Sequence, residues 1–175
     1  PNLKKIKPDI IMLSNTGYGY SDGPYSSYPG QATTLEGTHG LASITGYRGD
    51  MPSKAGRSYV DFLAAWFGLF AIASALHYRN GTGKGQWIDL AMYQLGAYFT
   101  SEYIMDWTAN KRVGERIANR HKSRAPQGCY PCAGDDQWCV ISVGDDQEWT
   151  ALCRALDRSD WLDDARFGDA LNRYM

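Results

Sequence analysis

Asp61 stands at the front edge of the longest apolar run in the chain, Tyr59 to Leu76. A carboxylate at a helix start meets free backbone N–H groups and the positive end of the helix dipole. Two readings follow. In one, Asp61 only caps the helix. In the other, it is a reactive carboxylate held ionised and facing a ligand cleft. Burial favours the neutral acid and helix-end N–H groups favour the carboxylate, so a nucleophile needs the second effect to win. The remaining spacings point to less. Cys129-Tyr130-Pro131-Cys132 has metal-ligand spacing, but Cys139 and Cys153 do not make the second close pair that structural zinc usually needs. The cysteines read as small apolar residues of a reduced core, and no metal is expected. Gly81, Gly83 and Gly85 with Lys84 are the residue types of a phosphate loop. Such a loop precedes a helix, whereas this stretch follows one, so it reads as a tight helix-to-strand turn. His39 has no evident partner and reads as structural.

The elements that must position Asp61 follow from periodicity. The apolar run predicts a long helix from about Val60 to Tyr78, closing at Asn80-Gly81 with Arg79 near the negative end of its dipole. The run falls short of the roughly 20 apolar residues of a membrane span, starts at an acid and is flanked by Arg57 and Arg79; it reads as a buried core helix, with no membrane partner. Upstream, Ile10-Ile11-Met12-Leu13 is a continuous apolar run, typical of a parallel strand buried on both faces. It ends in Ser14-Asn15-Thr16-Gly17-Tyr18-Gly19, and open α/β sheets bind ligands in loops at the carboxyl ends of strands. The glycines there do not match a dinucleotide fingerprint. Residues 20–58 are rich in Gly, Tyr, Ser, Thr and Pro. Tyr18, Tyr20, Tyr25, Tyr28 and Tyr47 argue for order, as a packed surface loop or as the lining of a cleft. Within it, Thr33 to Ser43 predicts a short helix with His39-Gly40 near its end.

Trp87-Ile88-Asp89-Leu90 reads as a strand, and Ala91 to Ala109 as a helix whose Met92, Leu95, Tyr98, Phe99 and Met105 form a core or interface stripe. Lys111 to Pro126 is basic, through Lys111, Arg112, Arg116, Arg120, His121, Lys122 and Arg124. It is either a solvated connection or a surface for a phosphorylated ligand. Tyr130 to Val143 predicts a hairpin turning at Gly134-Asp135-Asp136. An amphipathic helix opens at Gly144-Asp145-Asp146, with Trp149, Leu152, Cys153 and Leu156 on one face. A last helical piece is expected around Trp161 to Ala165.

A chain of 175 residues is one domain or a piece of a larger one. Its formal net charge of -1 leaves no basic footprint for nucleic acid. Pro1-Asn2-Leu3-Lys4-Lys5 lacks the apolar core of a signal peptide, so a cytoplasmic location is expected. Pro1 in place of a Met, and the terminus at Asn172-Arg173-Tyr174-Met175, read as cut ends of something longer.

Taken together, several runs resemble the family III CoA-transferases, the group of the formyl-CoA and carnitine CoA-transferases, with α-methylacyl-CoA racemases as isomerase relatives. They are Lys7 to Ser14, Gly17-Tyr18-Gly19 with Gly23-Pro24-Tyr25, Gly40 to Gly46, Asp61 before the apolar helix, and Thr82 to Gln86. Asn119-Arg120 with Ala125-Pro126, Tyr130 to Asp136, and Asp163 to Phe167 complete the series. The resemblance covers almost the whole chain and implies a middle fragment. In α/β terms, it implies residues 1–110 as part of a Rossmann-like large domain with parallel strands and long buried helices, 111–127 as a linker, and 128–175 as the start of a small α+β domain. It also implies Asp61 as the nucleophile and Pro29, Gly30, Gln31 and Ala32 as contacts of coenzyme A. Acyl-CoA and a small carboxylic acid would be substrates, with no permanently bound cofactor, and the longer protein an interlocked homodimer. Racemases of the group place a His where Gln31 stands, and a racemase needs two groups that trade a proton. The resemblance therefore favours transferase over racemase. A non-catalytic α/β module, truncated or serving only in assembly, is the alternative of another class.

Overall fold

The computed structural model describes residues 2–174. Pro1 and Met175, on which the reading of cut ends partly rests, lie outside the described residues. The chain divides at Arg116/Ile117 into two compact units. Both are α/β in make-up.

The first unit opens with a short helix, α1 (Asn2–Ile6), where the sequence showed only a basic segment. Strand β1 is Met12–Thr16 and β2 is Trp87–Ala91. They pair in parallel, with Leu13 opposite Ile88 and Ser14 opposite Asp89. β1 starts later than the apolar run that predicts it and continues through Ser14-Asn15-Thr16. Its residues are half-buried or exposed rather than buried on both faces, because β2 is its one strand partner among the described residues. Between the strands come α2 (Ala32–Thr38), α3 (Leu41–Ile44) and the long α4 (Tyr59–Thr82). The expected single helix over Thr33 to Ser43 is thus two, because Gly40 sits at φ 94° and turns the chain.

Helix α4 runs past the expected stop at Asn80-Gly81. The stop is Gly83, left-handed at φ 71°, whose N–H donates to the Arg79 carbonyl at 2.7 Å. With 24 residues and a mean hydropathy of 1.7 over its most apolar window, α4 is long and apolar enough to cross a membrane, by length and composition alone. One side, Val60, Ala64, Gly68 and Ala75, is buried. Gly68 lies against Leu13 of β1 and Leu90 of β2, and its lack of a side chain lets the helix approach the strands. The other side exposes Phe62, Trp66, Leu69 and Phe70. The core helix expected from the sequence is therefore buried along one stripe only.

The predicted helix over Ala91 to Ala109 is also two, α5 (Met92–Phe99) and α6 (Ser101–Asn110). They part at buried Thr100, whose hydroxyl lies within hydrogen-bonding reach of the carbonyls of His39, Gly96 and Ala97. Of the expected stripe, Leu95 is buried, while Tyr98, Phe99 and Met105 are exposed. Phe67 of α4 meets Tyr98 and Phe99 edge-on, with ring centroids 6.4 and 5.6 Å away.

In the second unit, β3 (Gln127–Pro131) and β4 (Trp138–Ser142) form an antiparallel hairpin with Tyr130 opposite Cys139. The turn uses Gly134 and Asp136 with positive φ, at the expected place. Helix α7 (Asp146–Ala155) is capped by Asp145, whose carboxylate accepts the Glu148 N–H at 2.8 Å. Trp149 and Cys153 of α7 are buried with Val143, and Trp161 and Phe167 pack on them. Leu156, expected on the same face, is 48% exposed, since α7 ends before it. Two 3-10 turns, Ser159–Leu162 and Ala165–Phe167, and α8 (Ala170–Tyr174) replace the single piece expected near Trp161.

Candidate active site

Helix α4 begins at Ser58, which is left-handed at φ 55° and makes no side-chain cap. The N–H groups of Asp61 and Phe62 both reach the Ser58 carbonyl, at 3.1 and 3.2 Å. Asp61 lies in the first turn and is half-buried. Among the described residues its carboxylate takes part in no ion pair or side-chain hydrogen bond, so it does not cap its own helix. A helix start without a side-chain cap leaves backbone N–H groups at an electropositive end, and Asp61 is the acid of its first turn.

Pro29, Gly30 and Gln31 are exposed and Ala32 is half-buried. Gln31 stands at the N-cap position of α2 without a side-chain bond to the helix. Helix α2 packs against both α4 and α5, so this segment and Asp61 are carried by touching helices.

The loop after β1 is brought to the same region. The backbones of Gly17 and Gly30 cross so closely that a Cβ on either would come within 2.7 Å of the other's Cα. The Tyr93 N–H donates to the Gly17 carbonyl at 2.9 Å. Tyr18 packs on Tyr25 and Tyr93, with centroids 5.7 and 5.8 Å away, and Tyr25 meets Tyr28 at 6.0 Å. The tyrosine-rich segment is thus an ordered, aromatic-braced loop.

Two acids that the sequence reading passed over hold this framework. Asp89 of β2 accepts from the Tyr20 N–H at 2.9 Å, the Ser21 N–H at 3.0 Å and the Ser21 hydroxyl at 2.5 Å. These bonds, the Ser21 hydroxyl first and then the Tyr20 amide, hold the Asp89 carboxyl below the usual carboxylate range. Its one signal in the sequence is an acid inside an otherwise apolar strand. The second is Glu36 of α2, which is fully buried and accepts the Ala55 N–H at 2.9 Å.

Asp89→Asn is expected to destabilise the chain by about 2 kcal/mol, because an amide keeps one acceptor and turns a donor toward the Ser21 and Tyr20 N–H groups. A carboxyl with a depressed folded pKa stabilises above its unfolded value near 3.8 and loses that contribution as pH falls through the folded value. Urea unfolding should therefore show the two proteins differing at pH 7 and converging in strong acid. Equal midpoints at pH 7 would remove the clamp.

His39 is 6% exposed, its ring lies against Gly96, and burial pushes the imidazole below its ordinary value, so it is neutral at pH 7. In the basic stretch, Arg116 lies within hydrogen-bonding reach of the carbonyls of Ser43, Tyr47 and Asp50, and Arg112 pairs with Asp106 at 2.7 Å. These two guanidiniums are engaged with groups of the first unit. Gly85 lies against the backbone of Asp9 and Ile10, so closely that a side chain there would not fit. Cys129 and Cys132 are exposed rather than in a core, because the hairpin leaves that part of its surface open; Cys153 alone is buried. No group of three His, Cys, Asp or Glu suited to a metal ion occurs among the described residues.

The model of CoA-transferase family III matches residues 1–175. The chain belongs to CoA-transferase family III. Among curated relatives of this family III chain, it is 34% identical over 166 residues to the acetyl-CoA:oxalate CoA-transferase of Acetobacter aceti, covering 94% of this chain and 42% of that protein. It is 32% identical to the succinyl-CoA–D-citramalate CoA-transferase of Chloroflexus aurantiacus, covering 94% of this chain and 40% of that one. The chain therefore spans about two-fifths of the length of these relatives. Among solved structures, it is similar to a CAIB/BAIF family protein from Brucella suis, with a TM-score of 0.86 and 30% identity over 98% of this chain and 45% of that one.

Proposed function

We propose that this chain carries the nucleophile of a CoA-transferase that moves CoA from an acyl-CoA donor to a small carboxylic acid. An Asp61 oxygen attacks the thioester carbonyl, the C–S bond breaks, and a mixed aspartyl-acyl anhydride and CoA thiolate result. The thiolate then attacks the aspartyl carbonyl, the donor acid leaves, and an aspartyl-CoA thioester remains. An acceptor carboxylate attacks that thioester to give a second anhydride and free thiolate. Attack of the thiolate on the acceptor acyl carbon forms the new acyl-CoA and regenerates Asp61. Each difficult exchange is split into easier ones.

The observation that carries this reading is the half-buried Asp61 carboxylate, without an ion pair or side-chain hydrogen bond among the described residues, in the first turn of a helix whose start has no side-chain cap. Helix-end and loop N–H groups suit the oxyanions these steps develop. The segment Pro29, Gly30, Gln31 and Ala32 would contact coenzyme A, as the family resemblance implies, with no permanently bound cofactor. Gln31 disfavours the racemase alternative: no imidazole stands there, and His39 is buried against Gly96. The longer protein would be a Rossmann-like, interlocked homodimer. Four free cysteines suit a reducing, cytoplasmic location.

Incubation of the chain with an acyl-CoA and hydroxylamine, followed by intact mass and peptide mapping, tests the reading. A hydroxamate or CoA adduct on Asp61 is expected. A folded chain without an adduct would favour the non-catalytic module, and α-proton exchange in deuterated water without an acceptor acid would favour the racemase.

A further inference from the structure

Helix α4 begins without the support that usually fixes a helix start. Ser58 supplies no side-chain cap and is held in the left-handed region, which a residue with a Cβ adopts at a cost. What holds the approach to Asp61 lies on another helix. Glu36 of α2 is fully buried, and one carboxylate oxygen accepts the Ala55 N–H at 2.9 Å, just upstream of Ser58. The same stretch is tied again where the Ser53 N–H donates to the Thr45 carbonyl at 3.1 Å. The second Glu36 oxygen has no hydrogen-bond partner among the described residues, so the bond to Ala55 is the polar contact the side chain retains. Its helix begins directly after Gln31, in the segment taken to contact coenzyme A.

The geometry points to Glu36 as a positioning residue: its carboxylate joins the helix that follows the coenzyme-binding segment to the backbone leading into Asp61, and so sets the nucleophile's place. Glu36 touches no reacting atom. It acts as a buried acceptor, not as a charge, and any side chain of its length with an acceptor oxygen should serve. This role rests on the reading of Asp61 as nucleophile.

The test compares the unmodified chain with Glu36→Gln, which keeps an acceptor, and Glu36→Met, which keeps length and volume without one. Two measurements are made: amide hydrogen exchange from Ala55 through Leu63, and the rate of Asp61 adduct formation with acyl-CoA and hydroxylamine. In Glu36→Met, protection at Ala55 and the first turn of α4 is expected to fall about tenfold or more, with exchange in β2 and α7 unchanged. The adduct rate should fall about tenfold with it, since small misplacements of a reacting group are costly. Glu36→Gln should restore both to within about threefold. Retained protection and rate in Glu36→Met would overturn the role, as would failure of a folded Glu36→Gln to restore them. Should Glu36→Met not fold, Ala55→Pro, which deletes the donor and keeps the carboxylate, gives the same comparison. If the unmodified chain forms no adduct, the reading of Asp61 falls, while hydrogen exchange still decides whether Glu36 holds the approach to α4.

Discussion

Asp61→Ala should lower adduct formation from acyl-CoA by at least about a thousandfold while leaving the fold intact. The size of the first effect follows from the mechanism. The carboxylate forms and breaks the covalent bond at every step, and no other acid stands in the first turn of α4. The smallness of the second follows from the surroundings. Asp61 is half-buried and has no ion pair or side-chain hydrogen bond among the described residues, so its truncation leaves no partner stranded. What is lost structurally is its interaction with the helix dipole, on the order of 0.3–1 kcal/mol. Mass labelling, circular dichroism and a urea midpoint together make the check. Undiminished labelling would remove Asp61 from the mechanism, and global unfolding would show it to be a structural acid.

The largest stability loss is expected at the crossing of Gly17 and Gly30. A Cβ at Gly30 would lie 2.7 Å from the Gly17 Cα, and the reverse holds for Gly17. The neighbour is backbone, so no rotamer change can relieve the contact. The Gly17 side is fixed further by the Tyr93 N–H on its carbonyl, with Asp89 holding Tyr20 and Ser21 beyond it. Gly30→Ala is therefore expected to cost about 3 kcal/mol, at the upper end for overpacking. Gly37→Ala is the control. It lies within α2, where an added methyl group would meet nothing within 4 Å, and should stabilise by about 0.5–1 kcal/mol. Urea midpoints that left Gly30→Ala level with the unmodified chain would dissolve the crossing, and with it the link between the β1 loop and the segment 29–32.

Much of the framework was legible because local patterns suffice for it. The apolar run over Tyr59 to Leu76 announces one long helix, and the Gly134-Asp135-Asp136 turn announces a hairpin. Where sequence and structure part, a contact distant in sequence or a rival glycine decided. Gly81 and Gly83 both satisfy a helix stop locally; the chain uses Gly83, whose N–H closes onto Arg79. The helix over Ala91 to Ala109 breaks at Thr100, where the hydroxyl lies against the His39 carbonyl, sixty-one residues away. Cys129 and Cys132 read as core because they are small and apolar, but the open hairpin surface leaves them exposed.

The sequence by itself determined the α/β class, the family and the acid at the head of the apolar helix, because residue order and period are local quantities carried by the chain. Only the tertiary structure decided what the other two acids, Asp89 and Glu36, bind. Asp89 binds Tyr20 and Ser21 across the parallel pair, and Glu36 binds Ala55 from a neighbouring helix. A buried carboxylate looks the same in sequence whatever N–H it accepts. Its partner is set by which backbone the packed helices and strands bring within hydrogen-bonding distance, and that is a property of the folded chain alone.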